Sequence, residues 1–168
     1  METYLKDLIN STNINYSNKN IESFEGFSGK IFPKLEYLNL GNNNITSFEG
    51  LSENTFPNLK ILILNNNQIT SFKGIHDNIF PKLEELILNN NEISSFEGIP
   101  DNAFPKLKQI SLNNNKINSL KKLSAKMFPI LETIYLLDNK IPYLERLYEN
   151  PFFPKENIII IERGRNFY

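Results

Sequence analysis

The chain carries one histidine, His76, on a loop, and no cysteine. A Cys–His nucleophilic pair is therefore excluded, and a zinc site, which draws mainly on Cys and His ligands, has no support. Carboxylates are the remaining reactive groups. Glu36, Lys60, Glu84, Lys108 and Glu132 fall 24 residues apart, and so do Glu49, Lys73, Glu97, Lys121 and Glu145. Each carboxylate is thereby set beside a lysine and not beside a second carboxylate. That is the pattern of an ion-pair ladder, worth tenths of a kcal/mol per pair, and not of an acid–base couple. A third set, Glu53, Asp77, Asp101 and Glu149, is uniformly acidic and could offer weak calcium ligands; solvated loop charge is the plainer reading. No catalytic residue, metal site or cofactor is expected.

Amides are the more regular chemistry. Asn43, Asn67, Asn91, Asn115 and Asn139 keep the same spacing. Each amide has two N–H donors and one acceptor oxygen. Each sits where the chain would turn inward after a strand, and buried backbone groups in such a turn need partners. These asparagines are expected to form a structural ladder across successive units. The neighbouring asparagines in the runs 42–44, 65–67, 89–91 and 113–115 are read as exposed turn formers.

The elements that position these residues follow from the repeat itself. Phe-Pro recurs at Phe32, Phe56, Phe80, Phe104 and Phe128, always 24 apart. A fixed period in this range signals a stacked repeat architecture. Apolar residues recur in one frame: Leu35, Leu38, Leu40 and Ile45, then Leu59, Leu62, Leu64 and Ile69, and so on to Leu131, Ile134, Leu136 and Ile141. The L-x-L core alternates with the strand period. One short strand per unit, always in one direction, gives a parallel sheet, and the rest of each unit supplies the crossover. Phe48, Phe72 and Phe96 are expected to stack as an aromatic spine, continued by Leu120 and Leu144. Gly50, Gly74 and Gly98 read as tight turns, with Lys122 and Arg146 in the later units. Ser119–Met127 and Leu144–Tyr148 contain better helix formers and are expected to be more helical.

One domain accounts for the chain. Residues 1–31 form an N-terminal cap and a first degenerate repeat, with Lys19 at the asparagine position and a short capping helix over Glu2–Ile9. Residues 32–151 hold five full repeats. Residues 152–168 form a partial repeat, with Ile158 and Ile160 at strand positions, and a tail.

The pattern L-x-x-L-x-L-x-x-N-x-I resembles the leucine-rich repeat over about Leu8 to Ile161. The following I-x-x-F-x-G-L/I is similar to the intracellular subclass typified by the regulatory subunit of type-1 protein phosphatase, with slightly longer units here, near Ser52–Thr55. The resemblance implies an α/β solenoid: a curved parallel sheet on the concave face, short helices or turns on the convex face, protein binding, and no catalysis. Secreted members usually carry disulfide-bonded caps, so the lack of cysteine points to a reducing compartment.

Composition sets further bounds. The net charge of −1 argues against nucleic acid, which is held by clustered Lys and Arg. The first ten residues lack the long apolar stretch of a secretion signal, and no run reaches the length of a membrane span. The chain is expected to be intracellular, cytoplasmic or nuclear. The sequons at Asn10, Asn15 and Asn44 are attributed to the high asparagine content.

The partner surface is read from the residues between the core leucines. One column is Tyr37, Ile61, Glu85, Gln109 and Thr133; the next is Asn39, Ile63, Ile87, Ser111 and Tyr135. Ile61, Ile63 and Ile87 are expected to lie together and exposed at mid-sheet, flanked by the tyrosines. An apolar centre with a polar rim suits a protein or peptide partner. The expected protein is a monomer that binds such a partner. The alternative is a self-associating assembly protein, dimerising through an uncapped C-terminal edge at Ile158–Ile161.

Overall fold

The structure is a computed structural model, which describes residues 8–141 and the backbone of Ile159–Ile161. Seven three-residue strands form one sheet in chain order: β1 (Asn13–Asn15), β2 (Tyr37–Asn39), β3 (Ile61–Ile63), β4 (Glu85–Ile87), β5 (Gln109–Ser111), β6 (Thr133–Tyr135) and β7 (Ile159–Ile161). Every neighbouring pair is parallel. From β1 to β6 the register repeats the sequence period, pairing Leu38 with Leu62 and Leu86 with Ile110. A slip by one residue would turn the leucines outward, so the alternating pattern pins this register.

The last pairing departs from the period. Ile134 aligns with Ile160, and Thr133 with Ile159. Ile160, and not Ile158, therefore takes the central strand position, so the final unit is two residues longer than the frame predicts. Nothing in the L-x-L pattern distinguishes the two choices, because both keep isoleucines on alternate positions.

Three residues beyond each of β2 to β6 the chain passes through a left-handed residue. Asn42, Asn66, Asn90, Asn114 and Asp138 have φ between 55° and 57°. Asparagine and aspartate tolerate this region because their short side chains hydrogen-bond locally. The chain then turns inward and fills the core with Ile45 and its equivalents, all buried.

Two phenylalanine stacks run along the core. The expected spine is present: Phe24, Phe48, Phe72 and Phe96 have neighbouring ring centroids 5.9–6.1 Å apart and planes within 16°. Leu120 continues it, also buried; Leu144 lies outside the described residues. The second stack consists of the Phe-Pro phenylalanines, Phe56, Phe80, Phe104 and Phe128, with centroids 5.5–6.2 Å apart. In the sequence these residues served only as markers of the repeat. Each stacked pair adds about 0.5–1.5 kcal/mol beyond burial of the rings.

The side away from the sheet is made of turns. Among the described residues the only helical segment assigned a span is one 3-10 turn, η1 (Glu25–Phe27). Ser119–Met127 is not helical. Leu123 N–H donates to Leu120 O at 2.9 Å and Met127 N–H to Ser124 O at 3.1 Å, as separate turns. Ser119 and Ser124 hydroxyls accept from Lys121 and Lys126 N–H. Leu120, Leu123 and Met127 are all buried, at a spacing a helix could also bury, but the serine hydroxyls engage the backbone N–H two residues on and so favour turns over a continuous helix. Local hydrogen bonding thus overrides propensity. The helical expectation for Leu144–Tyr148 lies outside the described residues. So does the capping helix over Glu2–Ile9, apart from Leu8 and Ile9, which pack against the core.

Gly74 shows why a glycine is required. Its φ is +94° and an added Cβ would strike the backbone of Phe48 and Glu49 in the preceding unit. Gly98 has φ +84° but open space around it. Gly74→Ala is therefore expected to cost more than Gly98→Ala, with the former losing about 1–3 kcal/mol. Urea midpoints of the two variants test this; equal midpoints would show that the close approach relaxes freely. Lys122, at the equivalent position in the next unit, is not in the positive-φ region, so that turn is built differently.

The first unit also deviates. Phe27 is fully buried and meets Phe32 and Phe56 edge-on, at 5.7 and 5.5 Å. Ile31, whose equivalents Thr55, Ile79, Ala103 and Met127 are buried, is 55% exposed. The left-handed turn falls one residue earlier here, at Gly29 instead of a position matching Asn54. Phe27 fills the space under the loop and Ile31 is turned out.

Candidate functional site

The fold presents two kinds of repeated surface. On the sheet, odd-numbered strand residues face outward while Leu38, Leu62, Leu86, Ile110 and Ile134 face the core. Registration sets Tyr37, Ile61, Glu85, Gln109 and Thr133 side by side, and likewise Asn39, Ile63, Ile87, Ser111 and Tyr135. β1 extends the face with Asn13 and Asn15, both exposed.

Exposure of this face differs from the sequence expectation. Ile61, Ile63 and Ile87 are half-buried, not exposed, and so are Tyr37 and Tyr135. Ser111 is only 8% exposed. Parallel strands lie about 4.8 Å apart, so each outward side chain is walled by its neighbours on both sides. Ser111 has the smallest side chain in its column and stands in register between Ile87 and Tyr135, so it is the floor of the face and offers no projecting contact.

The polar side chains on the face are partly engaged. Asn39 Oδ1 accepts from Gly41 N–H at 2.9 Å. Gln109 Nε2 donates to Glu85 Oε1 at 3.3 Å. Along one border of the face the alternating charges close into pairs: Lys60 to Glu36 at 3.0 Å and Lys108 to Glu84 at 2.7 Å. The hydrogen bond between Lys108 and Glu84 lowers the Glu84 pKa and raises that of Lys108. On other faces Lys73 pairs with Glu49, and Lys116 with Glu92. All these side chains are about half or more exposed, so each pair contributes little.

The asparagines divide by depth. Asn67 Oδ1 accepts from Ile45 N–H at 2.9 Å, and its Nδ2 donates to Leu40 O and Leu64 O, both at 3.0 Å. Asn91, Asn115 and Asn139 repeat this set. Asn43 accepts from both Lys19 and Ile21 N–H. Each amide thus ties its own turn to the preceding unit. The left-handed asparagines outside this ladder bond to one another: Asn66 Nδ2 to Asn42 Oδ1 at 2.7 Å, and Asn90 Nδ2 to Asn66 Oδ1 at 2.8 Å.

The family's profile of leucine-rich repeats, in two-copy form, matches residues 12–53, 57–101 and 81–125, most of the chain. This is a leucine-rich repeat protein. No curated protein matches the sequence. Leucine-rich repeats generally mediate protein–protein interaction, and the family is generally non-enzymatic.

The loop carboxylates are spread along the stack. Glu53, His76, Asp77 and Pro100 line a shallow hollow, but no group of three or more His, Cys, Asp or Glu among the described residues could hold an ion. His76 Nδ1 lies 3.3 Å from Asp77 O, and Asp101 faces Lys126 at 3.9 Å. Glu149 lies outside the described residues. No helix among the described residues is long and apolar enough to cross a membrane.

Proposed function

We propose that this leucine-rich repeat protein is a non-enzymatic module that binds a protein or peptide on its sheet face. The observation that supports this reading is the contiguous aliphatic centre Ile61, Ile63 and Ile87. Ile61 and Ile63 share β3, and Ile63 is registered against Ile87. Half-buried aliphatic groups surrounded by Tyr37, Asn39, Glu85, Gln109, Thr133 and Tyr135 have the composition of an interface core with a polar rim. Tyrosine is enriched at binding hot spots. The ladder asparagines and the phenylalanine stacks tie successive units together, which supports a preformed face that loses little ordering entropy on binding. The described strands span about 30 Å at ~4.8 Å per strand, enough for an extended peptide, a helix or the edge of a small domain.

The test is capture from lysate by wild type against the double variant Ile63→Glu/Ile87→Glu, with circular dichroism showing that both fold. A partner held by wild type is expected to be lost by the variant. If both capture the same partner, the sheet face is not the binding surface.

A further inference from the structure

Resting on that reading, we infer that the partner segment carries an arginine or lysine beside an aliphatic or aromatic side chain, and that Glu85 receives the cation. Glu85 is the only charged residue among the outward positions of β1 to β6. It lies in register beside Ile61, and Ile87 follows it on the same strand, so the carboxylate borders the aliphatic centre directly. Among the described residues it joins no ion pair; its one side-chain hydrogen bond comes from Gln109 Nε2. The lysines beside the neighbouring strands are already committed, Lys60 to Glu36 and Lys108 to Glu84, and Lys82, three residues before Glu85, donates to Asn58. One carboxylate oxygen is thus held by Gln109, and the other meets no hydrogen-bond donor among the described residues.

The surroundings sharpen this charge. Glu85 is half-buried, flanked by Ile61, and loses part of its hydration when a ligand covers the patch. A neutral ligand would leave that charge desolvated without compensation, whereas a guanidinium or ammonium answers it with a charge-assisted hydrogen bond. An acidic ligand would be repelled. The face therefore selects by pairing one apolar anchor with one cation a short distance away, and discriminates against acidic segments through repulsion.

Selection from a phage-displayed library of random peptides about ten residues long, matching the sheet span at ~3.3 Å per residue, tests the assignment on the full chain. Wild type is expected to enrich peptides with Arg or Lys near an aromatic or branched aliphatic residue. A synthetic peptide of the enriched sequence should bind about tenfold more weakly to Glu85→Gln, a loss near 1.4 kcal/mol, and selection on Glu85→Lys should shift toward acidic peptides. Glu85→Gln keeps the size and polarity of the side chain, so its fold is unchanged and its effect reports charge. Enriched peptides lost on Ile63→Glu but indifferent to Glu85→Gln would overturn the cation assignment and leave the sheet-face reading standing. Peptides indifferent to both variants, or no enrichment at all, would overturn both. Self-association of the wild type that Glu85→Lys abolishes would give the face to a second copy of the chain and also overturn the peptide assignment.

Discussion

Phe80→Ala is expected to lower stability by about 3–5 kcal/mol. Phe80 is fully buried and stacks between Phe56 and Phe104, at 6.2 Å on each side and with planes within 8°. Removing the ring forfeits its transfer free energy, leaves a cavity, and breaks both stacking contacts. The stack repeats along the core, so neighbours above and below cannot collapse inward without losing their own register. Stability of a repeat protein is close to a sum of unit and nearest-neighbour terms. Damage at Phe80 weakens the interfaces on both sides of one unit and divides the array into two shorter ones. A urea melt followed by circular dichroism should show a lower midpoint and a broader or split transition. Ile130→Ala, at a 44% exposed position, is the control and should stay within about 0.5 kcal/mol. A Phe80→Ala loss below about 1 kcal/mol would mean the second stack is not a continuous structural element.

Asn91→Leu is expected to cost about 1–3 kcal/mol, from a different cause. Leucine has the same number of side-chain heavy atoms, so no cavity is left and the main loss is of hydrogen bonding. Asn91 Oδ1 accepts from Ile69 N–H at 3.0 Å, and Nδ2 donates to Leu64 O at 2.9 Å and Leu88 O at 3.1 Å. The three groups are not equally harmed. Leu64 O keeps a bond from Asn67, and Leu88 O keeps one from Asn115. The Ile69 N–H is left buried without a replacement, and it carries most of the cost. Hydrogen exchange adds a local readout: the Ile69 amide should lose protection beyond what the global change in stability explains. An unchanged urea midpoint would contradict the ladder's energetic role.

Much of the fold was legible because a repeat states its own register. The 24-residue spacing set strand number, direction and alignment for β1 to β6, and the L-x-L alternation chose the inward residues. The asparagine frame located the amides now seen to bond across units. Legibility ended where the repeat changed. At β7 the isoleucines at 158, 160 and neighbouring positions allow two alignments, and pairing with β6 chose Ile160. In Ser119–Met127, helix formers pointed to a helix, but Ser119 and Ser124 bond the backbone two residues on and the segment forms separate turns. The Phe-Pro residues gave the period away, yet their stacking is visible only when successive rings are placed over one another.

The same division holds for the candidate site. Which residues share a column on the sheet was a matter of counting, so Tyr37, Ile61, Ile63, Glu85, Ile87 and Tyr135 could be grouped from the sequence. How far each projects could not be counted. Side chains on parallel strands stand in lateral contact and shield one another, which half-buries the isoleucines and sinks Ser111 between Ile87 and Tyr135. The status of Glu85 depends on distances as well: Lys60 and Lys108 could each have reached toward it, and instead bond Glu36 and Glu84. The sequence by itself determined the period, the parallel sheet and the inward set, because these follow from residue type at fixed spacing. Only the tertiary structure decided exposure, charge pairing and the register of the final strand, because those depend on competition among neighbours that no single repeat contains.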